Sequence, residues 1–491
     1  MKKFLAFLGV VIVALFAVMS VNAGRLAPPP TANSAAAVTV PSFDTGAAAA
    51  HLAGAVKFST VSFTSGGPVD TAQFLGIHTY FDQTFPLVHE HLKREVINGL
   101  SLLYTWQGSD ATLPPLVLMG HFDVVPVPEP NLKDWQHGPF SGDVADGYVW
   151  GRGTLDDKST VLAVLEAVES LLRSGYAPKR TVYLTFGHDE EVGGRYGARF
   201  IVDTLVARGV KPALVLDEGG FMGSGILPGV TGRAAIVGVA EKGYLSLKLT
   251  AKAEGGHSSM PPARTAVGAL SRAIAALEAN PFPGSLNPPS RLMMESMAPY
   301  MPFSRKLLMA NLWLTAPVIE KGLSANPLGA ALLHTTTAPT MLSAGIKDNV
   351  LAPEASAIVN FRIAPGETVN SVIERVHRVI ADSLITVSKI DSAGVDPSPV
   401  SDAKGPEFGA LASTIQSMDP GATVPVIPYL VFGGTDAKYW GAHSAHVYRF
   451  LPIPLGDGDR DRVHGLNERV KASDYGTAVG FIERLIERMD K

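Results

Sequence analysis

The sequence predicts a doubly wound α/β domain that carries a smaller βαββαβ domain as an insertion. Short apolar runs, each followed by a helical pattern, recur in the first half of the chain, at residues 116–119, 181–186 and 213–216. Strands that alternate with helices are typical of a mainly parallel sheet covered on both faces. Near Gly243 the pattern changes to strands in which apolar and polar residues alternate. This change indicates a second, separately built unit.

The composition sets the size of the fold and argues against one class of partner. With 491 residues, of which 46% are hydrophobic, the chain can bury large cores and is long enough for two domains. The formal net charge of -4 argues against an electrostatic nucleic-acid binder. There are no cysteines, so disulfides do not contribute to the fold.

The first residues have the pattern of a signal peptide. A basic start, Met-Lys-Lys, precedes an apolar run over residues 4–19, and small residues end at Ala23. We expect cleavage after Ala23, which makes 1–23 a signal peptide and the protein an exported one, periplasmic or secreted. The alternative is an uncleaved N-terminal membrane anchor. Residues 24–49 begin with a stretch rich in Pro and Ala and are predicted to be a flexible leader.

The folded part opens with two helices and two strands. They are predicted over residues 71–82, 87–98, 101–106 and 116–119. The second strand ends next to His121 and Asp123, whose side chains leave the same face of an extended backbone. A carboxylate beside an imidazole commonly fixes its tautomer in a metal site, although a lone pair of this kind is more often a satisfied polar contact.

Acidic residues follow at the ends of later elements. Asp156 lies in a Gly-rich loop before a predicted helix over 159–172. This loop does not bind phosphate in the usual way, since it lacks the Gly-Lys-Ser/Thr ending. Glu190 and Glu191 come after the strand at 181–186. Adjacent side chains there point to different sides, so one can bind a metal while the other faces a substrate.

The predicted insertion spans residues 242–397 and divides the larger domain into 50–241 and 398–491. Its elements in chain order are strand 244–253, helix 265–279, strands 346–350 and 357–363, helix 368–381 and strand 385–390. This order is that of a ferredoxin-like βαββαβ sandwich. Residues 281–340, rich in Pro, Met and Leu, lie within it and predict an ordered apolar elaboration.

Five residues at separate loop positions have the side chains that zinc prefers. They are His121, Asp156, Glu191, Asp217 and His464. Five ligands are too many for one open tetrahedral ion, whereas two ions bridged by a carboxylate leave room for a shared water, as in two-metal hydrolases. Glu190 is then placed to take a proton from that water and pass it to a leaving amine.

Six motifs together resemble those of one enzyme family. They are His121-Phe122-Asp123, Gly151-Arg152-Gly153 with Asp156-Asp157-Lys158, Glu190-Glu191, Asp217-Glu218-Gly219, Gly256-His257-Ser258-Ser259 and His464-Gly465. From about Ser59 onward the chain is similar to the dinuclear zinc peptidase family of carboxypeptidase S, aminoacylase and the glutamate carboxypeptidases. It most resembles the branch of carboxypeptidase S and the secreted N-fatty-acyl-amino-acid hydrolases.

The resemblance implies two Zn²⁺ ions per chain and a role for each motif residue. The implied ligands are His121 and Asp217 for one zinc, Glu191 and His464 for the other, and Asp156 as the bridge. Asp123 would orient His121, and Glu190 would be the general base.

The resemblance further implies that the insertion is a lid and dimerisation domain. The residues that match substrate-binding positions are His257, Asn349, Arg362, Gly434 and Thr435. A homodimer formed through the lid is the assembly that the family implies. From the residues alone, His257 is also compatible with a tight turn, and Arg362 with a solvated or paired charge.

The expected function is hydrolysis of amide bonds in small peptides or N-acyl amino acids by a zinc-activated water. One alternative is an amidase of N-fatty-acyl amino acids that also catalyses their synthesis. Another is a metal- or peptide-binding protein without catalysis. Glu190 argues against that last alternative, because a binding protein needs no general base.

Overall fold

The computed structural model describes residues 1–27, 43–390, 394–419, 424–451, 453–456 and 458–491. The helices are α1 Lys2–Arg25, α2 Thr45–Val56, α3 Thr71–Thr84, α4 Pro86–His91, α5 Lys158–Arg173, α6 Ala198–Ala207, α7 Ala266–Ala279, α8 Pro288–Met297, α9 Phe303–Met309, α10 Leu312–Leu323, α11 Pro327–Leu333, α12 Val369–Ile380, α13 Pro406–Ser417 and α14 Ala472–Met489. The strands are β1 Lys93–Ile97, β2 Ser101–Trp106, β3 Leu116–His121, β4 Val144–Ala145, β5 Tyr148–Trp150, β6 Val182–Gly187, β7 Leu214–Asp217, β8 Phe221–Ser224, β9 Arg233–Glu241, β10 Gly243–Lys252, β11 Gly256–His257, β12 Thr336–Ser343, β13 Val350–Leu351, β14 Glu354–Ile363, β15 Ile385–Lys389, β16 Val426–Val431, β17 Val447–Arg449 and β18 Arg469–Lys471.

A mixed nine-stranded sheet forms the centre of the larger domain. Its strand order is β1-β2-β6-β3-β7-β17-β9-β16, with β8 paired to β9. Strands β6, β3, β7 and β17 run parallel to their neighbours in this group, and β1 and β2 continue the sheet in the antiparallel sense. Every residue of β3 is buried, as expected for a strand covered on both faces.

Helices cover both faces of this sheet, as the sequence predicts. Leu118 points into the core that contains helices α2, α5 and α14, whereas its neighbours Val117 and Met119 pack against α6 on the other face. This alternation follows from the two-residue period of a strand. The mixed α/β architecture is therefore confirmed.

A smaller antiparallel sheet follows β9, in the order β12-β14-β10-β15. In β10, Leu245, Leu247 and Leu249 are buried in one core with residues of α7 and α12, and the residues between them are more exposed. Strands β10 and β14 pair over ten residues, with Leu247 opposite Val359. The order of elements agrees with the predicted βαββαβ pattern.

The second strand of this small sheet lies elsewhere than predicted. The sequence favoured residues 346–350, but the sheet uses β12, and only the two-residue strand β13 overlaps the predicted segment. The run of threonines with Pro339 hid β12, because proline interrupts a strand pattern. Strand β12 accommodates this proline at the sheet edge, where the register shifts between Pro339 and Met341.

The segment predicted to be an apolar elaboration forms helices α8 to α11. Their buried side chains, such as Met294, Met297 and Leu332, pack against Ile427 and Leu430 of β16. The elaboration therefore extends the core of the large sheet, although its sequence lies between strands of the small one.

The N-terminal part begins with helix α1, which is long and apolar enough to cross a membrane. Helix α2 begins at Thr45, where the side chain of Asp44 accepts hydrogen bonds from the first turn. It therefore starts within the predicted leader. Residues 28–42 of that leader lie outside the described residues.

Candidate metal centre

Three neighbouring parallel strands bring the predicted site residues to one edge of the large sheet. Strand β3 ends at His121, β6 leads into Glu190 and Glu191, and β7 ends at Asp217. Because the carboxyl ends of parallel strands meet at the same edge, residues far apart in the sequence become neighbours. The loop before α5 adds Asp156 from the same side.

The first group of potential ligands consists of His121, Asp156 and Glu218. The Nε2 atom of His121 lies 3.1 Å from Oδ1 of Asp156 and 3.2 Å from Oε1 of Glu218. His121 is buried at the end of β3, so its imidazole has a fixed position.

The second group consists of Asp156, Glu191 and His464. The Nε2 atom of His464 lies 2.9 Å from Oδ2 of Asp156 and 3.1 Å from Oε2 of Glu191. His464 has a φ of 58°, a left-handed conformation that is uncommon for residues other than glycine. This conformation belongs to the turn from which the imidazole meets the two carboxylates.

The two groups fit metal ions in composition and spacing. The two oxygens of Asp156 face different imidazoles, one in each group. Ligand atoms around a tetrahedral zinc are about 3.3 Å apart, given bonds of about 2.0–2.1 Å, close to the separations found here. The Oε1 atom of Glu191 is buried without a hydrogen-bond partner among the described residues. Each group could therefore hold a divalent metal ion.

Asp217, a predicted ligand, belongs to neither of the two groups. Its Oδ2 accepts a hydrogen bond of 2.7 Å from the backbone N–H of Ala437. The physical reason is the alternation of side chains along an extended backbone, which turns Asp217 to one side and Glu218 to the other. Of these two acids, Glu218 is the one whose carboxylate lies near Nε2 of His121, at 3.2 Å.

Asp123 connects the first two strand ends. Its carboxylate accepts hydrogen bonds from the backbone N–H groups of Glu190 at 3.0 Å and Glu191 at 3.2 Å. The Nδ1 atom of His121 lies 3.0 Å from the backbone oxygen of Asp123 and 3.4 Å from its Oδ1. Asp123 is therefore a positioning residue for His121 and for the acidic pair.

Glu190 lies next to the first group without joining it. Its Oε2 is 3.9 Å from Nε2 of His121. Burial raises the pKa of Glu190 to about 8, with the negative charges of Glu191 and Asp156 acting in the same direction. A carboxyl group with this pKa can accept and release a proton near neutral pH.

The pKa of Asp156 is shifted in the direction opposite to that of Glu190. Burial would raise the pKa of its carboxyl group, but hydrogen bonds from His121 and His464 lower it below its usual range. Asp156 therefore stays ionised at neutral pH, as a carboxylate ligand must be.

Arg152 and Glu468, neither of which had a role predicted from the sequence, hold the loop of Asp156 in place. The Oε1 atom of Glu468 accepts hydrogen bonds from the backbone N–H groups of Gly153 at 2.9 Å and Leu155 at 2.8 Å. Its other oxygen is paired with the guanidinium of Arg152, and both side chains are buried. These partners are 316 positions apart in the chain, so the sequence offered no signal that joined them.

The predicted substrate-binding residues fall into three places. His257 and Asn349 are exposed neighbours on the insertion, where the N–H of Ser258 donates to the oxygen of Asn349 at 3.2 Å. Arg362 is half-buried and lies 4.8 Å from the ring centre of Tyr244.

Gly434 and Thr435 are in the loop after β16. The hydroxyl and N–H of Thr435 both donate to Oε1 of Glu241, at 2.6 and 2.8 Å, so its side chain is buried and already paired. Gly434 is exposed, with open space beside its Cα.

One cavity lies next to the metal groups, and a second, larger cavity adjoins the first. A cavity of about 410 Å³ is lined by Asp156 and Glu218. A larger one of about 940 Å³ is lined mainly by apolar residues of β8 and of helices α8 to α11. The two have four lining residues in common, Phe221, Tyr429, Leu455 and Arg460. The larger cavity is therefore adjacent to the site.

Sequence comparison relates the chain to proteins of known family. Residues 117–488 match the profile of peptidase family M20/M25/M40. The chain is 40% identical over 447 residues to "Probable carboxypeptidase S-like 2" of Dictyostelium discoideum, covering 90% of this chain and 85% of that protein. It is 39% identical over 444 residues to "N-fatty-acyl-amino acid synthase/hydrolase PM20D1" of Homo sapiens, covering 89% of this chain and 87% of that protein.

Solved structures agree with this relationship at the level of the fold. Human carnosine dipeptidase 1 matches with a TM-score of 0.64 at 15% identity, over 91% of this chain and 96% of that one. The M20 family metallo-carboxypeptidase Sso-CP2 from Sulfolobus solfataricus matches with a TM-score of 0.63 at 17% identity, over 89% and 98%. Together with the sequence match, they show that the chain is a metallohydrolase of peptidase family M20/M25/M40.

Proposed function

We propose that the chain hydrolyses amide bonds of small peptides or N-acyl amino acids with two zinc ions. The observation that carries this proposal is that the two oxygens of Asp156 face one imidazole each. In the proposed arrangement His121 and Glu218 would hold one ion, Glu191 and His464 would hold the other, and Asp156 would serve both. Zinc supplies Lewis-acid chemistry and makes a water molecule acidic near neutral pH.

The residues of the chain would then handle the proton and the geometry. Glu190, which stands beside the ligands but outside them, would accept the proton of the attacking water and deliver it to the leaving amine. Asp123 would fix the imidazole of His121 and the backbone of Glu190 relative to each other, since it contacts both.

Residues of the inserted domain would also bind the substrate. Arg362 would bind a free carboxylate, and His257 and Asn349 would contact the groups around the scissile bond, together with Gly434 and Thr435. The position of Thr435 limits its side chain, which is bonded to Glu241, so its backbone is the better candidate for contact. A homodimer through the exposed edge strand β12 is part of this proposal.

The general base can be tested separately from the metal ligands. Glu190→Gln should retain about two zinc ions per chain and lose activity by several orders of magnitude, because only the proton acceptor is removed. Elemental analysis and turnover of dipeptides and N-acyl amino acids measure the two properties. Near-normal turnover of this variant would assign the base to another residue.

A long-chain N-acyl amino acid is the second candidate substrate, and the larger cavity favours it. Its volume of about 940 Å³ falls within the range of about 300–1,000 Å³ for small-molecule sites, and its wall is mainly apolar. Two relatives described above differ in name on this point, one being carboxypeptidase S-like and the other an N-fatty-acyl-amino acid synthase/hydrolase.

A chain-length series distinguishes the two substrates. If the cavity takes the acyl chain, kcat/KM should rise by up to about tenfold for each two added methylenes, at about 0.8 kcal/mol per buried CH₂. Leu328→Trp, which narrows the cavity wall, should reduce this gain for long chains and leave acetyl substrates unchanged. Leu75→Trp, at a similarly exposed position on α3, is the control. A flat series would favour the peptidase.

A further inference from the structure

Helices α9 and α10 present an exposed apolar surface. Four large side chains form it and are 40–64% exposed, namely Phe303, Trp313, Leu314 and Val318. We call these four residues the apolar face. Contiguous apolar surface of this kind on a water-soluble domain marks a site of contact with another molecule or a membrane.

The end of helix α1 is attached to the apolar face through Asn311. The amide nitrogen of Asn22 donates to Oδ1 of Asn311 at 2.8 Å, and Nδ2 of Asn311 donates to the backbone oxygen of Met19 at 3.1 Å. The indole N–H of Trp313 donates to the same Oδ1 at 3.3 Å. One buried amide therefore joins helix α1 to the apolar face.

Helix α1 has the length of a transmembrane segment. Its 24 residues span about 36 Å, against about 30 Å for the hydrocarbon core of a bilayer. Most of its large apolar side chains, from Phe4 to Val21, are exposed, whereas Ala23 is fully buried against the folded part. Its apolar surface thus has no protein partner over most of its length among the described residues.

We propose that helix α1 is retained as a membrane anchor and that the apolar face lies in the lipid interface beside it. Cleavage after Ala23 would remove Asn22 and Met19, which supply two of the four hydrogen bonds of the buried Asn311 amide, the other two coming from Leu307 and Trp313. Retention keeps these bonds and gives the exposed surface of helix α1 an apolar surrounding.

The chemistry of the apolar face matches a bilayer surface with anionic headgroups. Trp313 lies at the level where helix α1 leaves the membrane, the position that tryptophan favours in membrane proteins. Across α9 and α10, Arg305, Lys306 and Lys321 stand against a single acidic residue, Glu320. Basic residues near an apolar surface favour anionic lipid.

The proposed position of α9 and α10 at the membrane would also give substrates access to the larger cavity. This step rests on the proposed function. Met309, Ile319 and Leu323 of the same two helices line that cavity. A substrate with a long acyl chain dissolves in the bilayer, so the membrane side of α9 and α10 would be its shortest route.

Trp313 makes the proposal measurable. Of the five tryptophans in the chain, Trp313 is 62% exposed and the other four, Trp106, Trp135, Trp150 and Trp440, are at most 8% exposed. The difference in emission between the full chain and its Trp313→Phe variant therefore reports on the apolar face.

The experiment uses the full chain, purified from membranes and reconstituted in vesicles of phosphatidylcholine and phosphatidylglycerol. We expect an intact mass that includes helix α1, and quenching of the Trp313 emission by lipids brominated on their acyl chains. Phe303→Glu with Val318→Glu should reduce that quenching at least severalfold. Phe63→Glu with Val144→Glu, two similarly exposed apolar positions elsewhere, should leave it unchanged.

Three outcomes would overturn the proposal. One is a mature chain that begins after Ala23. Another is a Trp313 emission that brominated lipid does not quench and that aqueous acrylamide quenches equally with and without vesicles. The third is burial of the apolar face against a second copy, seen as a dimer that the Phe303 and Val318 substitutions dissociate. Unchanged activity on short soluble substrates in the same variants separates these results from failure of the proposed function.

Discussion

At the scale of single residues, side-chain direction distinguishes Asp217 from Glu218 as a candidate metal ligand. Asp217 is buried at the end of β7, Glu218 follows it and is partly exposed, and chemistry alone favours neither as a ligand. The carboxylate of Asp217 accepts a hydrogen bond from the backbone N–H of Ala437, whereas the carboxylate of Glu218 lies next to the imidazole of His121. The direction in which each side chain leaves the strand decides between them.

This selection gives a direct prediction for metal content. Glu218→Gln should reduce bound zinc from about two ions to about one per chain, because a neutral amide is a poor zinc ligand. Asp217→Asn should keep the metal, since Ala437 contacts a side-chain oxygen that the amide also has. Elemental analysis after gel filtration measures both variants. Loss of zinc in Asp217→Asn, with full content in Glu218→Gln, would restore Asp217 as the ligand.

At the scale of elements, helix α3 carries a buried histidine that affects stability. The Nε2 atom of His78 lies 2.8 Å from the backbone oxygen of Leu100, and its ring meets that of Phe122 edge-on at 5.6 Å. Burial lowers the pKa of His78 from 6.5 to about 4, and the charge of Arg94 acts in the same direction. The fold therefore favours the neutral imidazole.

The pH dependence of stability follows from that shift. Between about pH 6.5 and 4 the unfolded chain binds a proton at His78 that the folded chain does not, so the free energy of unfolding falls as pH decreases through this window. His78→Gln, which keeps a side-chain donor for Leu100, should show a smaller decrease than the wild type. Denaturant titrations at several pH values measure the difference. Parallel curves for the two proteins would exclude His78 as a source of acid sensitivity.

At the scale of the whole molecule, two of the chain segments that connect the large and small sheets lie side by side. One passes through Gly243 and the other through Val395, and they are joined by reciprocal backbone hydrogen bonds of 2.8 Å between Tyr244 and Val395. A Cβ on Gly243 would come within 2.4 Å of the oxygen of Val395, so glycine is required for this close approach. Helices α8 to α11 add further contacts at this boundary, where the ammonium of Lys242 donates to the backbone oxygens of Ala331 and His334.

Arg362 lies on β14 of the small sheet, where we propose that it binds a substrate carboxylate. Arg362→Ala should lower kcat/KM for substrates with a free carboxylate. The loss should correspond to about 2 to 4 kcal/mol of transition-state stabilisation, as for loss of a charge-assisted pair. Substrates with an amidated carboxylate should be poor for the wild type and little affected by the substitution. Steady-state kinetics on matched acid and amide substrates measures this.

A control for that experiment is Arg375→Ala on α12. Arg375 also stacks on an aromatic ring of the small domain, at 4.9 Å from the centre of Phe282. It should affect acid and amide substrates alike. Equal losses for the two substrates in Arg362→Ala would instead indicate that Arg362 supports the fold.

Local chemistry in the sequence was sufficient for the class of fold and for much of the candidate site. Buried strands such as β3 are short apolar runs, and the ends of parallel strands meet at one edge whatever the details of packing. The ligand chemistry of the sequence groups His121, Asp156, Glu191, Asp217 and His464, and all of these except Asp217 are in the two groups of the structure.

Tertiary structure alone decided what depends on orientation and on distant partners. Whether Asp217 or Glu218 faces the site depends on the backbone direction at the end of β7. The hydrogen bonds from the loop of Asp156 to Glu468 join segments more than 300 residues apart. Strand β12 could not be predicted from the sequence, because a proline such as Pro339 argues against a strand. The structure accommodates Pro339 because β12 lies at the edge of its sheet. Periodicity records local propensity, whereas these features arise from contacts that form only when the chain is packed.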